Sequence, residues 1–365
     1  MESPSGPAGR GLIWPERVAI SGAARQTRVH GHNRKWPNQI ESHGVTGTGT
    51  FLYLSEETLH GLGVTAGEAV EAIEHLIRGH AQSKVWYAPK AVVEPDARYM
   101  MATLAAADEP PFLAVKALVL NPGNAERGLK QINALVTLLD SETGLPVAVI
   151  DGNWVTAVRT AGLSAVAAKR LANPNSAIAA FIGCGVQAHS HLEAFAALFP
   201  LREVRAFGRG RPNIDSLCKS ADDLGLSAIA SNSAREAVTD ADLVISAVTQ
   251  SARLEPFLDA GWLKPGAFAA ITDFAAPWII DSLALFERII IDDLEQEASM
   301  PSPLVKADLV AGDLSGLVLG DVAGRRTGAE RTAFIFRAHP LGDLALAGLA
   351  YQKACAKSLG TSIKD

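Results

Sequence analysis

The segment Ser176–His191, SAIAAFIGCGVQAHSH, constrains the fold more than any other stretch of the chain. Its apolar run from Ile178 to Ile182 reads as a fully buried strand. The run ends in Gly183-Cys184-Gly185-Val186-Gln187-Ala188, and a helical pattern, HLEAFAAL, follows. A strand that turns on glycines into a helix offers backbone N–H groups and the positive end of a helix dipole to an anion. Gly183 is expected to make the tight turn, Gly185 to admit phosphates close to the backbone, and Ala188 to let the helix sit close on the strand. The G-x-G-x-x-A spacing alone is a weak signal. With the strand before it and the helix after it, the spacing predicts a dinucleotide site.

From Ile178 onward strands and helices alternate. The strands read as AIAAFIG, VRAFG, AIAS, LVISAV, AFAAIT and RIIID, which argues for a parallel, doubly wound sheet. Before it the pattern is different. FLYLSEETLHGLGVTAGEAVEAIEHLIRGHAQ reads as a short strand and a helix, with Val70, Ile73 and Ile77 on one helical face. Strand-like runs follow: AVV near Val92, RYMMATLA, FLAVKALVL and NALVTLLD. Each is bounded by Pro, Gly or Asp, and Leu145–Ile150 adds another, so a mixed or antiparallel sheet is expected. Asn153–Ala172 is a helical stretch of Ala, Leu and Val. TAFIF near the C-terminus is a strand candidate, and the final Ala/Leu helix DLALAGLAYQKACAKSL is expected to pack back on the first domain. At 365 residues there is room for roughly two domains. The expected division is 51–155 with 315–365 as one domain and 156–314 as the parallel-sheet domain.

Composition narrows the class. Apolar residues make up 48% of the chain, the net charge is −6, and nucleic acid is therefore a poor partner. No run is long and apolar enough for a transmembrane helix. The three cysteines, Cys184, Cys218 and Cys355, lack metal-ligand spacing and read as buried free thiols in a reducing cytoplasm. No metal site is expected. Residues 1–50 hold six Arg/Lys and three Asp/Glu among many small and polar residues, and read as a disordered leader without a signal peptide's apolar core.

The ribose end of the dinucleotide site is also legible. The second strand of such a fold usually ends in an acidic residue when the cofactor is NAD(H). Here VRAF ends in Gly208-Arg209-Gly210-Arg211, which leaves space and positive charge for a 2′-phosphate. NADP(H) is favoured over NAD(H). The other reading is that Arg209 and Arg211 are solvated loop charges and both cofactors are used.

Asp140–Ala172, DSETGLPVAVIDGNWVTAVRTAGLSAVAAKRLA, with the GCGVQA turn and VKALVLNPGN at Val115–Asn124, resembles the ornithine cyclodeaminase/μ-crystallin family. The resemblance implies an α/β fold: a Rossmann doubly wound parallel sheet plus a smaller α+β domain that binds substrate and dimerises through its sheet. It also implies a homodimer acting on a small amino or imino acid by hydride transfer at a carbon that bears nitrogen and a carboxylate. For cofactor binding it implies Gln131, Arg159, Thr160, Val186, Gln187, Ala247, Thr249 and Ile271, beside the glycines and arginines above. For substrate carboxylate it implies Lys116 and Arg159, with Lys90 standing where the family commonly has arginine. Read without the resemblance, Lys116 is equally well a surface lysine at a strand end.

This chain departs from the cyclodeaminase pattern at three places. Ornithine enzymes carry an acidic residue about a dozen positions before the lysine matched by Lys116; here the stretch is Met101-Ala102-Thr103-Leu104. The catalytic aspartate that follows the AFAAIT strand falls one position early, at Asp273, either as proton donor or amine ligand or as a turn residue. The Ser-Val-Gly motif is replaced by Phe336-Arg337-Ala338, so Arg337 and His339 are either an added cation and acid/base or loop charges. The leading expectation is an NAD(P)H-dependent reductase of a ketimine or pyrroline-2-carboxylate type imino acid, reversible as an amino-acid dehydrogenase. A diamino-acid cyclodeaminase comes second, and a non-catalytic NADPH-dependent binder third.

Overall fold

The computed structural model describes residues 49–96, 98–249 and 254–364. The leader expected over 1–50 lies, but for its last two positions, outside the described residues.

The chain enters with β1 (Thr50–Leu54), α1 (Glu56–Gly61) and α2 (Ala66–Ala81). The helix expected here is therefore two, broken where Gly63 adopts φ +59°. Thr65 starts α2 with a capping box: Glu68 N donates to Thr65 Oγ1 and Thr65 N donates to Glu68 Oε2. Its buried face includes Val70, Ile73 and Ile77, the stripe that the periodicity predicts. Five strands follow: β2 (Val85–Val93), β3 (Tyr99–Ala107), β4 (Phe112–Leu120), β5 (Ile132–Asp140) and β6 (Pro146–Asp151). They form a mixed sheet with β1 and a last strand, ordered last strand-β1-β6-β5-β4-β3-β2. Inner-face residues such as Met101, Ala105, Ala114, Leu118, Val136 and Leu138 are buried.

The helix α3 (Gly152–Leu171) leads into the second sheet. That sheet is built from β7 (Ile178–Ile182), α4 (Val186–Leu198), β8 (Glu203–Phe207), α5 (Arg211–Asp223), β9 (Ser227–Ala230), α6 (Ala234–Val238), β10 (Leu243–Ser246), β11 (Phe268–Ile271), β12 (Arg288–Ile291), α7 (Leu294–Ser299), β13 (Val310–Asp313), α8 (Leu314–Leu319) and β14 (Thr332–Ile335). Its eight strands run in the order β13-β12-β14-β11-β10-β7-β8-β9, and every pairing is parallel. The order reverses at β7, which lies between β8 and β10, so the glycine turn sits at the switch point where doubly wound sheets bind ligands. The fold is a Rossmann-type α/β sheet joined to a smaller α+β layer.

One boundary differs from expectation. β14, the TAFIF strand, pairs with β11 and β12 inside the parallel sheet, so that sheet extends past residue 315 to 335. Only α9 (Pro340–Lys357) and β15 (Thr361–Lys364) return to the first sheet, β15 pairing antiparallel with β1. The helix α9 packs on β3, β4, α2 and α3. Of the cysteines only Cys184 is buried; Cys218 and Cys355 are half-exposed free thiols. Among the described residues no helix is long and apolar enough to cross a membrane.

Candidate active site

The dinucleotide end is organised by Gly183. Its φ is +92°, and a Cβ there would lie 2.4 Å from the carbonyl oxygen of Ala247, so no side chain fits. Gly185 caps α4 without any side-chain hydrogen bond, and a Cβ on it would meet nothing within 4 Å. Open ground therefore lies over a helix N-terminus that no side chain satisfies, as a pyrophosphate requires. Val186 is 70% exposed beside it, and Ala188 is fully buried against the sheet. Gln187 donates through Nε2 to the carbonyl of Thr156 (3.4 Å), while its Oε1 is buried with no hydrogen-bond partner among the described residues. Thr160 spends its hydroxyl on the same Thr156 carbonyl (2.7 Å).

Thr156 Oγ1 and Asn153 Oδ1 are also buried without a partner among the described residues. Sequence reasoning missed both. They share an α3 face with Thr160 by helical spacing, and that spacing was the signal available. Ala247 supplies the backbone against Gly183, and Thr249 is exposed just beyond it. Ile271, at the end of β11, is fully buried, so it can meet a cofactor only through its backbone. Gln131 precedes β5 and gives its amide to the Pro122 carbonyl (3.3 Å). At the ribose end Gly208 and an exposed Arg209 follow β8 with no carboxylate at the strand end. Arg211 opens α5 and pairs with Asp215 (2.8 Å) on the same exposed face, so it is partly engaged.

The other end of the site is a cluster of buried charge. Lys116 is not at a strand end: it lies mid-strand in β4 on the inner face and is fully buried. Its Nζ donates to Asp343 Oδ1 at 2.6 Å. Arg159 Nε lies 3.1 Å from the same oxygen, within ion-pair distance but without hydrogen-bond alignment. Arg159 Nη1 is buried and has no partner among the described residues, and its guanidinium stands over the Phe336 ring. Burial and the Arg159 charge pull the Lys116 ammonium down, against Asp343. Burial opposes ionisation of Asp343, but Lys116 and Arg159 outweigh it and hold the carboxyl below its ordinary range.

Lys90 joins this cluster through a register slip. Pro89 lacks an N–H, and the β2–β3 pairing shifts between Ala88 and Ala91. Inward positions run Val85 and Tyr87 before the bulge and Lys90 after it, so the bulge turns Lys90 inward. Its Nζ donates to the Arg337 carbonyl (2.8 Å) between the rings of Tyr99 and Phe274. Burial pulls its pKa down to about 8, with Asp292 resisting. Asp292 itself accepts from the backbone N–H groups of Arg337 and Ala338 and is pushed up to about 6 by burial.

Arg337 does not add a cation to the pocket. Its guanidinium is taken by Glu297 and the Ser302 carbonyl, and it serves the cluster through its backbone. His339 is buried as the cap of α9, accepting from Leu341 N, and burial lowers its pKa to about 4. Asp273 follows β11 in a turn where Phe274 and Ala275 both have φ +57°. Its carboxylate accepts from Ser246 Oγ (3.1 Å) and Val248 N (3.0 Å), and Trp278 Nε1 donates to Ser246. Burial raises the Asp273 pKa to about 6. Asp343, too, was missed by sequence reasoning: β3 indeed brings no carboxylate, but α9 places one against Thr103 (2.8 Å).

An open glycine turn at a helix N-terminus and a buried cluster of cations are the two ends of the candidate site. The ornithine cyclodeaminase/mu-crystallin family model matches residues 54–358, and the chain belongs to that family. Alanine dehydrogenase of Archaeoglobus fulgidus is 30% identical over 326 residues, covering 86% of this chain and 98% of that protein. The structure of Thermococcus litoralis Δ1-pyrroline-2-carboxylate reductase, in complex with NADH and L-proline, superposes with TM-score 0.80 at 26% identity, over 86% of this chain and all of that one. An archaeal alanine dehydrogenase dimer with bound NAD gives TM-score 0.76 at 27% identity, over 86% of this chain and 99% of that one.

Proposed function

We propose that this protein reduces a small α-imino acid with NADPH, in the manner of a ketimine or pyrroline-2-carboxylate reductase, and runs in reverse as an amino-acid dehydrogenase. The observation that carries this is the Lys116–Arg159–Lys90 cluster, in which the Arg159 fork keeps an unpaired buried donor. A bound nicotinamide supplies the hydride for the imine carbon. Lys116 and Arg159 hold the substrate carboxylate, the latter through the fork geometry that suits carboxylates, and Lys90 assists. Asp273, or a water it holds, manages the proton at nitrogen. Its raised pKa suits a group that must be protonated for part of the cycle.

The open glycine turn, the uncapped α4 and the unpaired oxygens of Gln187, Thr156 and Asn153 fit a dinucleotide. NADPH is preferred through Arg209. A cyclodeaminase needs an anion for a distal ammonium. Asp343 is spent on Lys116, Arg159 and Thr103, Asp292 on two backbone amides, and Asp273 on Ser246 and Val248, which weighs against that reading. The homodimer forms through the outer face of the first sheet. One preparation, assayed with pyrroline-2-carboxylate plus NADPH and with L-ornithine plus NAD(P)+, tests the proposal. NADPH oxidation is expected in the first assay and negligible ammonia in the second. Efficient ornithine cyclisation without imine reduction would restore the cyclodeaminase, and an NADPH fluorescence shift without turnover would point to a binder.

A further inference from the structure

Thr103 and Lys116 are directly opposed across β3 and β4, and both point to the inner face. Asp343 comes from the first turn of α9, 227 residues beyond Lys116, and lies over both. One oxygen takes Lys116 and faces Arg159; the other takes the Thr103 hydroxyl. Gly342 makes the approach feasible, because a Cβ there would lie 3.1 Å from Leu163 Cδ1 and 3.3 Å from Arg159 Cδ. A pair that served only the fold would need one cation. Here two buried cations pair with one carboxylate, Asp292 reaching Arg159 through its field and not as an ion pair, and donors are left unused. An ammonium has three donors, and Arg159 Nη1 is unpaired.

We propose that Asp343 is a positioning residue that holds Lys116 and Arg159 side by side, so that their remaining donors meet a single substrate carboxylate. The role rests on the reductase reading above. The groups around Lys116 are Asp343 from α9, Arg159 from α3, Lys90 from β2 and Thr103 from β3. Asp343 is the anion among them, so its neutralisation must make Lys116 easier to deprotonate.

The test uses Asp343→Asn and Thr103→Val in the full-length protein. The lysine side chains are labelled with 13C, and the Lys116 signal is assigned by its loss in Lys116→Met. In Asp343→Asn the Lys116 titration should move down by about one pH unit or more. The basic limb of kcat/KM should follow it, and KM for the imino acid should rise about tenfold. NADPH affinity should stay within about twofold, since Asp343 does not line the cradle. In a Lys116→Met background Asp343→Asn should raise KM by less than it does in the wild type, since only Arg159 is then left to be misplaced. Thr103→Val, which keeps every charge, should raise KM about threefold in the same direction, and it carries the test if Asp343→Asn does not fold.

An unmoved lysine titration in folded Asp343→Asn, a full additive loss in the Lys116→Met background, or an unchanged KM in Thr103→Val overturns the proposal. Failure of the wild type to turn over any imino acid, with the Lys116 shift intact, overturns the reductase reading and leaves the positioning role standing.

Discussion

Arg209 and Arg159 show how differently single side chains can be read. Arg209 is exposed at the end of β8, so its charge can only matter to a ligand that arrives there. Changing Arg209 to Ala should raise KM for NADPH by about tenfold and leave NADH nearly unaffected, since a charge-assisted phosphate contact contributes on the order of 1 kcal/mol. Steady-state kinetics with both cofactors decide this, and equal losses remove Arg209 from the 2′-phosphate site. Arg159 was singled out through the family resemblance that the RTA run carries. Its guanidinium environment was not, because Asp343 and Phe336 come from a part of the chain more than 170 positions away. Lys90 was legible as a charge but not as an inward-facing one. That orientation depends on the bulge at Pro89, and periodicity counted through the bulge puts Lys90 on the wrong face.

The strand–turn–helix element β7–α4 is the most local part of the site, and its two glycines separate fold from function. Gly183→Ala places a methyl against the Ala247 carbonyl at φ +92°, so it should lower stability by about 2 kcal/mol or more and be visible in thermal melts. Gly185→Ala has φ −88° and open space, so Tm should hold while NADPH affinity falls, because the methyl occupies ground meant for phosphate. Loss of Tm in Gly185→Ala with normal cofactor binding would reverse these assignments.

The same helix is tied to α3 by His191. Its Nδ1 must donate to the Gln187 carbonyl (2.7 Å), so Nε2 accepts from Ser164 Oγ (2.9 Å) and the ring is neutral. Burial lowers its pKa from 6.5 to about 4. The folded state thus favours the neutral form: this contribution is complete above 6.5 and is lost as pH falls toward 4. The loss is on the order of 3 kcal/mol at its acid end. Asp273 and Asp292, both raised to about 6, act in the opposite sense and blunt the overall slope. His191→Gln isolates the histidine. Its Tm deficit relative to wild type should shrink as pH drops from 6.5 to 4, and a constant deficit would show that the ring does not titrate this way.

At the scale of the whole molecule, one face of the mixed sheet is apolar and exposed among the described residues. Trp86 (48% exposed), Met100 (45%), Leu104 (50%), Val115 (37%) and Leu135 (51%) come from four neighbouring strands and point away from α9. A contiguous patch of this kind marks an interface, and a second copy of the chain is the proposed occupant. Leu104→Arg adds a charge to that face without touching the core, so light scattering should show a dimer for the wild type and a monomer for the variant. An unchanged dimer would move the interface elsewhere.

Local chemistry settled much of this protein from its residues in order. The glycine turn, the amphipathic α2 and the missing ribose carboxylate are each written in fewer than twenty consecutive positions, where periodicity and backbone freedom act directly, and the parallel sheet in the strand–helix alternation from Ile178 onward. The change from the mixed sheet to the parallel one was legible as well, because the pattern changes near residue 178. Long-range pairing was not. β14 inserts between β11 and β12, α9 brings Asp343 onto Thr103 and Lys116, and Glu297 removes the Arg337 charge from the pocket. Those outcomes depend on which buried charge finds a partner once distant elements pack. Desolvation forces a pairing, and only the folded arrangement selects the partner.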